Sequence, residues 1–314
     1  MENILTMSPS PHLSSGATTR RIMLDVIISL VPASVAAVIF FGWRSLMLIG
    51  VCILSCVVLE YICRKVMKRK NTTGDLSAVV TGLLLALNLP PGLNPLMAVF
   101  GCIVAIVVVK QMFGGIGNNF VNPAITARIV LLVSFPVPMT TWEKPFEWLN
   151  TADSVTGATP LALVAQGEST SYLDLFLGNR GGCIGETCVL ALLLGGIYLV
   201  ARRVISPIIP LSFIGTVFVL SFLLGGDPVF HIMSGGVMLG AIFMATDYTT
   251  SPMNPLGKLI FGIGCGVITV LIRLYANLPE GVSYSIILMN ILTPHIENLT
   301  RPRPFGKEKK HEKA

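Results

Sequence analysis

At 314 residues, 53% hydrophobic and only 12% charged, with a mean hydropathy of +0.77, the chain is far more apolar than a soluble domain of its length and points to a polytopic membrane protein. Its net charge of +6 and pI near 9.0 do not argue for nucleic acid, because the basic residues sit in short segments beside apolar runs, as membrane topology requires.

Residues 1–21 form a polar N-terminal segment. No small-residue cleavage site promptly follows the first apolar run, which is read as a retained helix rather than a signal peptide. Runs able to cross roughly 30 Å of hydrocarbon, some broken, then recur along the chain. The first half, 22–135, holds Ile22–Phe41, Ser45–Cys63, Ser77–Leu89, Asn94–Met112 and Val121–Phe135. A loop over 136–182 follows. The second half, 183–297, holds Cys183–Val200, Ser206–Leu224, Val229–Ala245, Leu256–Ala276 and Val282–His295, before a basic tail over 298–314. The third, fifth and eighth spans are short or rich in glycine and proline, as expected of helices that break beside a buried site.

With the N-terminus inside, one face collects Arg20, Arg21, Arg64, Lys65, Lys68, Arg69, Lys70, Lys110, Arg202, Arg203, Lys258 and the tail, whereas the other keeps Arg44, Lys144, Arg180 and Arg273. This asymmetry predicts both termini in the cytoplasm and the 136–182 loop outside. The sequence also repeats. Gly82 to Leu87, a turn, Asn94-Pro95-Leu96 and Phe100-Gly101 return about 160 residues later as Gly240 to Ala245, a turn, Asn254-Pro255-Leu256 and Phe261-Gly262. Five spans separate the copies, and an odd number inverts the second. The expected fold is therefore an all-α polytopic membrane protein with ten transmembrane helices, arranged as two inverted five-helix repeats with broken helices.

Seven cysteines, Cys52, Cys56, Cys63, Cys102, Cys183, Cys188 and Cys265, show no metal-ligand spacing, and most are read as small hydrophobes within spans. Cys183 and Cys188 lie near a predicted boundary, where a bridge is conceivable.

Three segments carry polar chemistry. Asp153 to Pro160 contains Thr156-Gly157-Ala158-Thr159: Gly157 and Ala158 remove bulk beside Thr159, Pro160 biases it toward an extended conformation, and Asp153 with Ser154 favours a preceding turn. A threonine hydroxyl so exposed can form a phosphoester if another enzyme supplies the catalysis, since no histidine lies between His12 and His231. Equally, Thr159 is a good N-cap with Pro160 at the first helical position. Phe113 to Ala124 is a glycine- and amide-rich break in which Gly114, Gly115, Gly117, Asn119 and Asn122 suit either close approach to a ligand or an Asn-stabilised loop. Ala245 to Pro255 crowds hydroxyls around Asp247.

These three segments, in register, resemble the D subunit of the Rnf electron-transport complex, a family related to the B subunit of the sodium-pumping NADH:quinone oxidoreductase. The resemblance runs from Ser14 to Pro294. It implies a flavoprotein of the bacterial inner membrane carrying FMN joined through its phosphate to Thr159, with Asp153, Gly157 and Ala158 around the attachment point. A flavin transferase would install it from FAD with magnesium. It further implies a non-covalent flavin, such as riboflavin, for which the Gly114 to Asn122 loop and Arg128 are candidate lining. The implied partners are the other Rnf subunits, especially the FMN-bearing G subunit and the membrane subunits, the lipid bilayer, and no nucleic acid. The complex would pass electrons between ferredoxin and NAD and couple this to sodium or proton movement. The chain lacks the longer N-terminal extension of the sodium-pump homologue and opens its motif with Thr156 where serine is common.

Ionisable residues within spans are costly and hence candidates for an ion path: Asp25, Glu186, and Asp247 with Thr246, alongside Glu60, Lys110 and Arg128. Asp25 and Glu60 also lie one helical turn from Arg21 and Arg64, spacings that allow pairing. Lys144 and Arg180 are either contacts for an external phosphate or solvated loop charges. A secondary transporter or channel of the same inverted build, without redox chemistry, is the competing reading, and a scaffold subunit the third.

Overall fold

A computed structural model describes residues 18–149, 156–157, 160–161, 171–276 and 281–301. Among the described residues the regular structure is helical apart from one short antiparallel ladder, in which β1 (Trp142–Glu143) pairs with β2 (Thr156–Gly157). The helices of the first half are α1 (Thr19–Phe41), α2 (Trp43–Val66), α3 (Ser77–Leu87), α4 (Pro95–Ile103, continued as a π-helix over Val104–Gln111) and α5 (Pro123–Ser134). Short α6 (Pro136–Thr140) and α7 (Tyr172–Leu177) lie in the connection. The second half holds α8 (Val189–Ala201), α9 (Ile208–Leu223), α10 (Pro228–Met233), α11 (Val237–Leu239, continued as a π-helix over Gly240–Met244), α12 (Pro255–Tyr275) and α13 (Gly281–Thr300).

Among the described residues, α1, α2 and α12 are each long and apolar enough to cross a membrane by themselves, while α3, the Pro95–Gln111 segment, α5, α8 and α9 are shorter apolar helices. Two expected spans start or divide differently. Cys183–Cys188 is a buried loop rather than the first turns of a helix, because Ile184 N and Gly185 N donate to Leu89 O (3.0 Å) and Leu87 O (2.7 Å) and so satisfy the end of α3. The Val229–Ala245 run divides at Ser234–Gly236, where Gly235 has φ +59°.

The helices are apolar on the outside and small or polar within. On α1, Leu24, Ile28, Val31, Val35 and Ile39 form the exposed stripe, while Asp25, Ser29, Ala33 and Ala37 face inward. That reverses the pattern of a water-soluble bundle and fits contact with lipid, where small inner residues let helices approach closely. Gly195 is the extreme case: a Cβ there would lie 2.1 Å from Ser29 O, so α8 lies directly against the backbone of α1. Gly195→Val is expected to force this pair apart and to cost about 1–3 kcal/mol, measured as a lowered unfolding temperature of the detergent-purified chain.

At one end, the corner between α1 and α2 needs a left-handed residue, Gly42 with φ +67°, and Trp148 covers it closely enough to exclude any side chain. Phe146 N donates to Phe40 O (2.7 Å) and Arg44 pairs with Glu143 (2.9 Å), which ties the start of the connecting loop to this corner.

Within the first half α2 packs on α3 and α4, and α4 on α5; within the second, α9 packs on the π segment of α11 and on α12, and α12 on α13. Between the halves, α1 packs on α8 and α5 on α13.

Candidate functional site

A cavity of about 360 Å³ lies between the halves, within the range of roughly 300–1,000 Å³ usual for small-molecule sites. Its walls are mainly apolar, with Met23, Val26, Leu84, Leu199 and Phe243 among them, and its polar groups come from three sequence-distant segments.

The first is the loop after the π-helix of α4. Gly114, Gly115 and Gly117 all have φ between +90° and +122°, a conformation ordinary side chains resist, and this lets the chain reverse toward α5. Gly117, Asn119 and Asn122 line the cavity. Gly114 and Gly115 do not: a Cβ on Gly115 would meet Arg64 Nη2 at 2.1 Å, and one on Gly114 would meet Asn118, so these two glycines accommodate neighbouring side chains rather than a ligand. Asn122 caps α5 through Oδ1, accepting from Ala124 N (3.0 Å) and Ile125 N (3.3 Å), and donates from Nδ2 to Met244 O (3.1 Å) across the halves. Asn119 donates to Thr249 Oγ1 (3.2 Å), while its buried Oδ1 has no partner among the described residues.

The second segment follows α11. Asp247 accepts hydrogen bonds from Thr249 (2.9 Å) and Thr250 (3.2 Å), and Thr246 bonds back to Ile242 O (2.7 Å). Asp247 and Thr246 line the cavity.

The third is Lys110, carried inward on the π-helix. Its Nζ donates to Glu60 Oε2 (2.9 Å) and Ser77 Oγ (2.6 Å), and Thr72 donates to the other Glu60 oxygen (3.0 Å). Glu60 therefore pairs with Lys110 on another helix and not with Arg64, its neighbour one turn away. Similarly, Asp25 accepts from Tyr198 (3.0 Å) and pairs with Arg202 (3.4 Å), the residue that ends α8, not with Arg21.

Arg128 lies away from this cavity. Its guanidinium donates to Asn88 Oδ1 (2.6 Å), Glu186 Oε1 (2.8 Å) and Cys183 Sγ (3.2 Å), joining the end of α3, α5 and the Cys183–Cys188 loop in a buried cluster. Glu186 is thus the counter-charge of Arg128. Arg180, expected at the outer surface, is buried and donates to Glu186 O (2.6 Å), whereas Lys144 is exposed. No disulfide joins Cys183 to Cys188.

Of the threonine motif, Asp153, Ala158 and Thr159 lie outside the described residues. Thr156–Gly157 pairs with Trp142–Glu143, and beyond Thr159 the helical Pro160–Leu161 reaches the second half. A Cβ on Gly235 would sit 3.2 Å from Leu161 Cδ1 and 2.8 Å from Arg273 Nη2, so both groups pack over Gly235. Arg273 is held there by His231 O (2.7 Å) and Ser234 O (3.0 Å). Both sides of Thr159 are consequently anchored, one to the loop and the other to α10–α12.

The fold and the cavity define an all-α membrane protein whose buried polar groups converge between two sets of helices. The chain belongs to the NQR2, RnfD, RnfE family, whose profile matches residues 6–306. It is 49% identical to the D subunit of the Na(+)-translocating ferredoxin:NAD(+) oxidoreductase complex of Acetobacterium woodii, covering 99% of this chain and 98% of the relative. It is 44% identical to the D subunit of the proton-translocating ferredoxin:NAD(+) oxidoreductase complex of Clostridium ljungdahlii, over 97% of each. The D subunit of the ion-translocating oxidoreductase complex of Stutzerimonas stutzeri is 39% identical over 91% of this chain and 92% of the relative.

Proposed function

We propose that this chain is the flavin-carrying membrane subunit of an ion-translocating ferredoxin:NAD oxidoreductase, with FMN joined to Thr159. The observation that carries the reading is the motif Thr156 to Thr159 in a chain 49% identical, nearly end to end, to the D subunit of such a complex. Bound FMN would supply reversible electron storage. What this chain contributes is the Thr159 hydroxyl as the phosphoester oxygen and a tether anchored at β2 and at Leu161. A flavin transferase would make the bond, and the other members of the complex, including the FMN-bearing G subunit, would exchange electrons with it.

The cavity between the halves is the proposed place of a second, non-covalent flavin such as riboflavin. Its volume, apolar walls and the buried, unpartnered Asn119 Oδ1 fit a flat ring with polar edges. Gly117, Asn119 and Asn122 would hold it. Arg128 is withdrawn from that role by its pairing with Glu186. Asp247 with Thr246, exposed to the same cavity, is the proposed point at which sodium or a proton could couple to it.

The proposed frame is ten transmembrane helices in two inverted repeats. The packing pattern of α2 on α3 and α4, then α4 on α5, recurs as α9 on α11 and α12, then α12 on α13. The cross-half contacts α1 to α8 and α5 to α13 join equivalent helices, as a two-fold relation requires. With both termini cytoplasmic, Lys144 faces outside. A Lys144→Cys variant is expected to react with a membrane-impermeant maleimide in intact cells; labelling only after lysis reverses the orientation.

The flavin reading is tested by co-expressing the chain with an active flavin transferase and viewing a denaturing gel under ultraviolet light. A fluorescent band at the position of this chain is expected. A dark band leaves the non-redox transporter as the better reading.

A further inference from the structure

We propose that Lys110, with its charge metered by Glu60, is the residue that sets the redox balance of the ligand in the cavity between the halves. The inference rests on the reading of that cavity as a flavin site and goes beyond it by assigning a tuning residue.

Lys110 is the one cation among the described residues lining the cavity, and its side chain is only 4% exposed. An ammonium has three N–H donors. Two are engaged by Glu60 Oε2 and Ser77 Oγ, leaving a third without a partner among the described residues. The stem arrives on a π-helix, a form that recurs at functional sites because it displaces one side chain from its helical register. The supporting shell is itself fixed: Ser77 donates to Asp75 (2.7 Å) and Thr72 to Glu60 (3.0 Å). Glu60 is fully buried, so its charge is little screened by solvent.

Such an arrangement suits a ligand that is neutral in one state and negative in another. A flavin held there would take up one electron from a donor subunit of the complex and gain one negative charge, with no bond made or broken. A nearby ammonium stabilises the charged state, and the carboxylate behind it moderates the effect. Asp247, on the same cavity, acts in the opposite sense. A purely structural tie between α2 and α4 would need neither the free N–H nor a place on the cavity wall.

The test uses the full-length chain carrying Thr159→Val, so that its only flavin is the extractable one, purified in detergent and supplied with riboflavin. Bound flavin is titrated electrochemically by its absorbance. Glu60→Gln, which unmasks Lys110, is expected to raise the ratio of reduced to oxidised flavin at fixed potential by about tenfold, or about 59 mV for a one-electron step. The pair Glu60→Gln with Lys110→Met, which removes both charges without leaving one buried alone, is expected to lower it by a similar factor. Shifts of opposite sign support the assignment. Unchanged titrations with flavin bound, or shifts of one sign in both proteins, overturn it. Failure of the Thr159→Val protein to hold any riboflavin overturns the cavity reading and the proposal together. If Glu60→Gln, which leaves the Lys110 ammonium buried without its carboxylate, does not accumulate, the double variant alone decides, because a rise or no change in the ratio contradicts the proposal.

Discussion

Arg128→Met is expected to destabilise the protein by about 3–5 kcal/mol, in the lower part of that range, and to reduce its yield from membranes sharply. The substitution leaves the Glu186 carboxylate, 7% exposed, without the guanidinium at 2.8 Å, and takes a donor from Asn88 as well. An unpaired buried charge costs far more than the pair contributes, because desolvation has already been incurred by both ions. Arg180, which donates to the Glu186 carbonyl, stays close enough to temper the loss. Arg128→Met combined with Glu186→Leu should recover most of the lost stability, since both ions then disappear from the interior. The measurement is thermal unfolding of the detergent-purified chain. Equal losses in the single and double variants would show that the cluster stabilises through packing and not through charge. Arg128→Lys is expected to fall between, because a single ammonium nitrogen cannot take the places of both Nη1, which bonds Asn88 and Glu186, and Nη2, which bonds Cys183.

These pairs show where sequence reading reaches and where it stops. Charged residues in apolar runs were legible as sites of consequence, because membrane interiors tolerate them only when partnered. Their partners were not. Asp25 and Glu60 each have an oppositely charged residue one turn away, yet each bonds elsewhere: Asp25 to Tyr198 and Arg202, Glu60 to Lys110. The local spacing fixes only which residues share a helix face, whereas burial rewards the partner that lies inside, and that depends on helix packing. The same distinction explains the glycine-rich loop. Its polarity and turn character were readable, and Gly117, Asn119 and Asn122 do line a cavity, but only the packing of Arg64 against Gly115 separates the structural glycines from the lining ones. Apolar runs likewise located the helices without revealing that Cys183–Cys188 forms a loop that caps α3.

The polar links between the halves bear on function as well as on stability. Asp25 with Tyr198 and Arg202, Asn122 with Met244 O, Asn119 with Thr249 and Arg128 with Glu186 all join residues of 22–135 to residues of 183–297. Two of these, through Asn119 and Asn122, also border the cavity. A charge-changing ligand in that cavity, as proposed above, would act directly on groups shared by both halves. On the proposed function, coupling of electron and ion movement would lie in the relative stability of these shared contacts, not in a distant relay.

Thr159→Val is expected to abolish covalent flavin on this chain completely and, with it, ferredoxin-dependent NAD reduction by the assembled complex, while the chain still assembles in the membrane. Valine matches threonine in shape but has no oxygen to form the phosphoester. The competing view, in which Thr159 only caps the helix that Pro160 begins, makes a different prediction. Loss of a cap costs typically about 1 kcal/mol, so the variant would unfold at a slightly lower temperature and otherwise work. Thr159→Ser separates the two further, since serine retains both the hydroxyl and the capping ability. If fluorescence and electron transfer disappear in the valine variant and return, even partly, in the serine variant at unchanged protein abundance, the hydroxyl is required as an attachment point. If the valine variant keeps the fluorescence of the parent, the flavin is bound elsewhere and Thr159 is reduced to its capping role. The flanking residues suit the first outcome: Thr156–Gly157 pairs with Trp142–Glu143, and Leu161 packs over Gly235 in the second half.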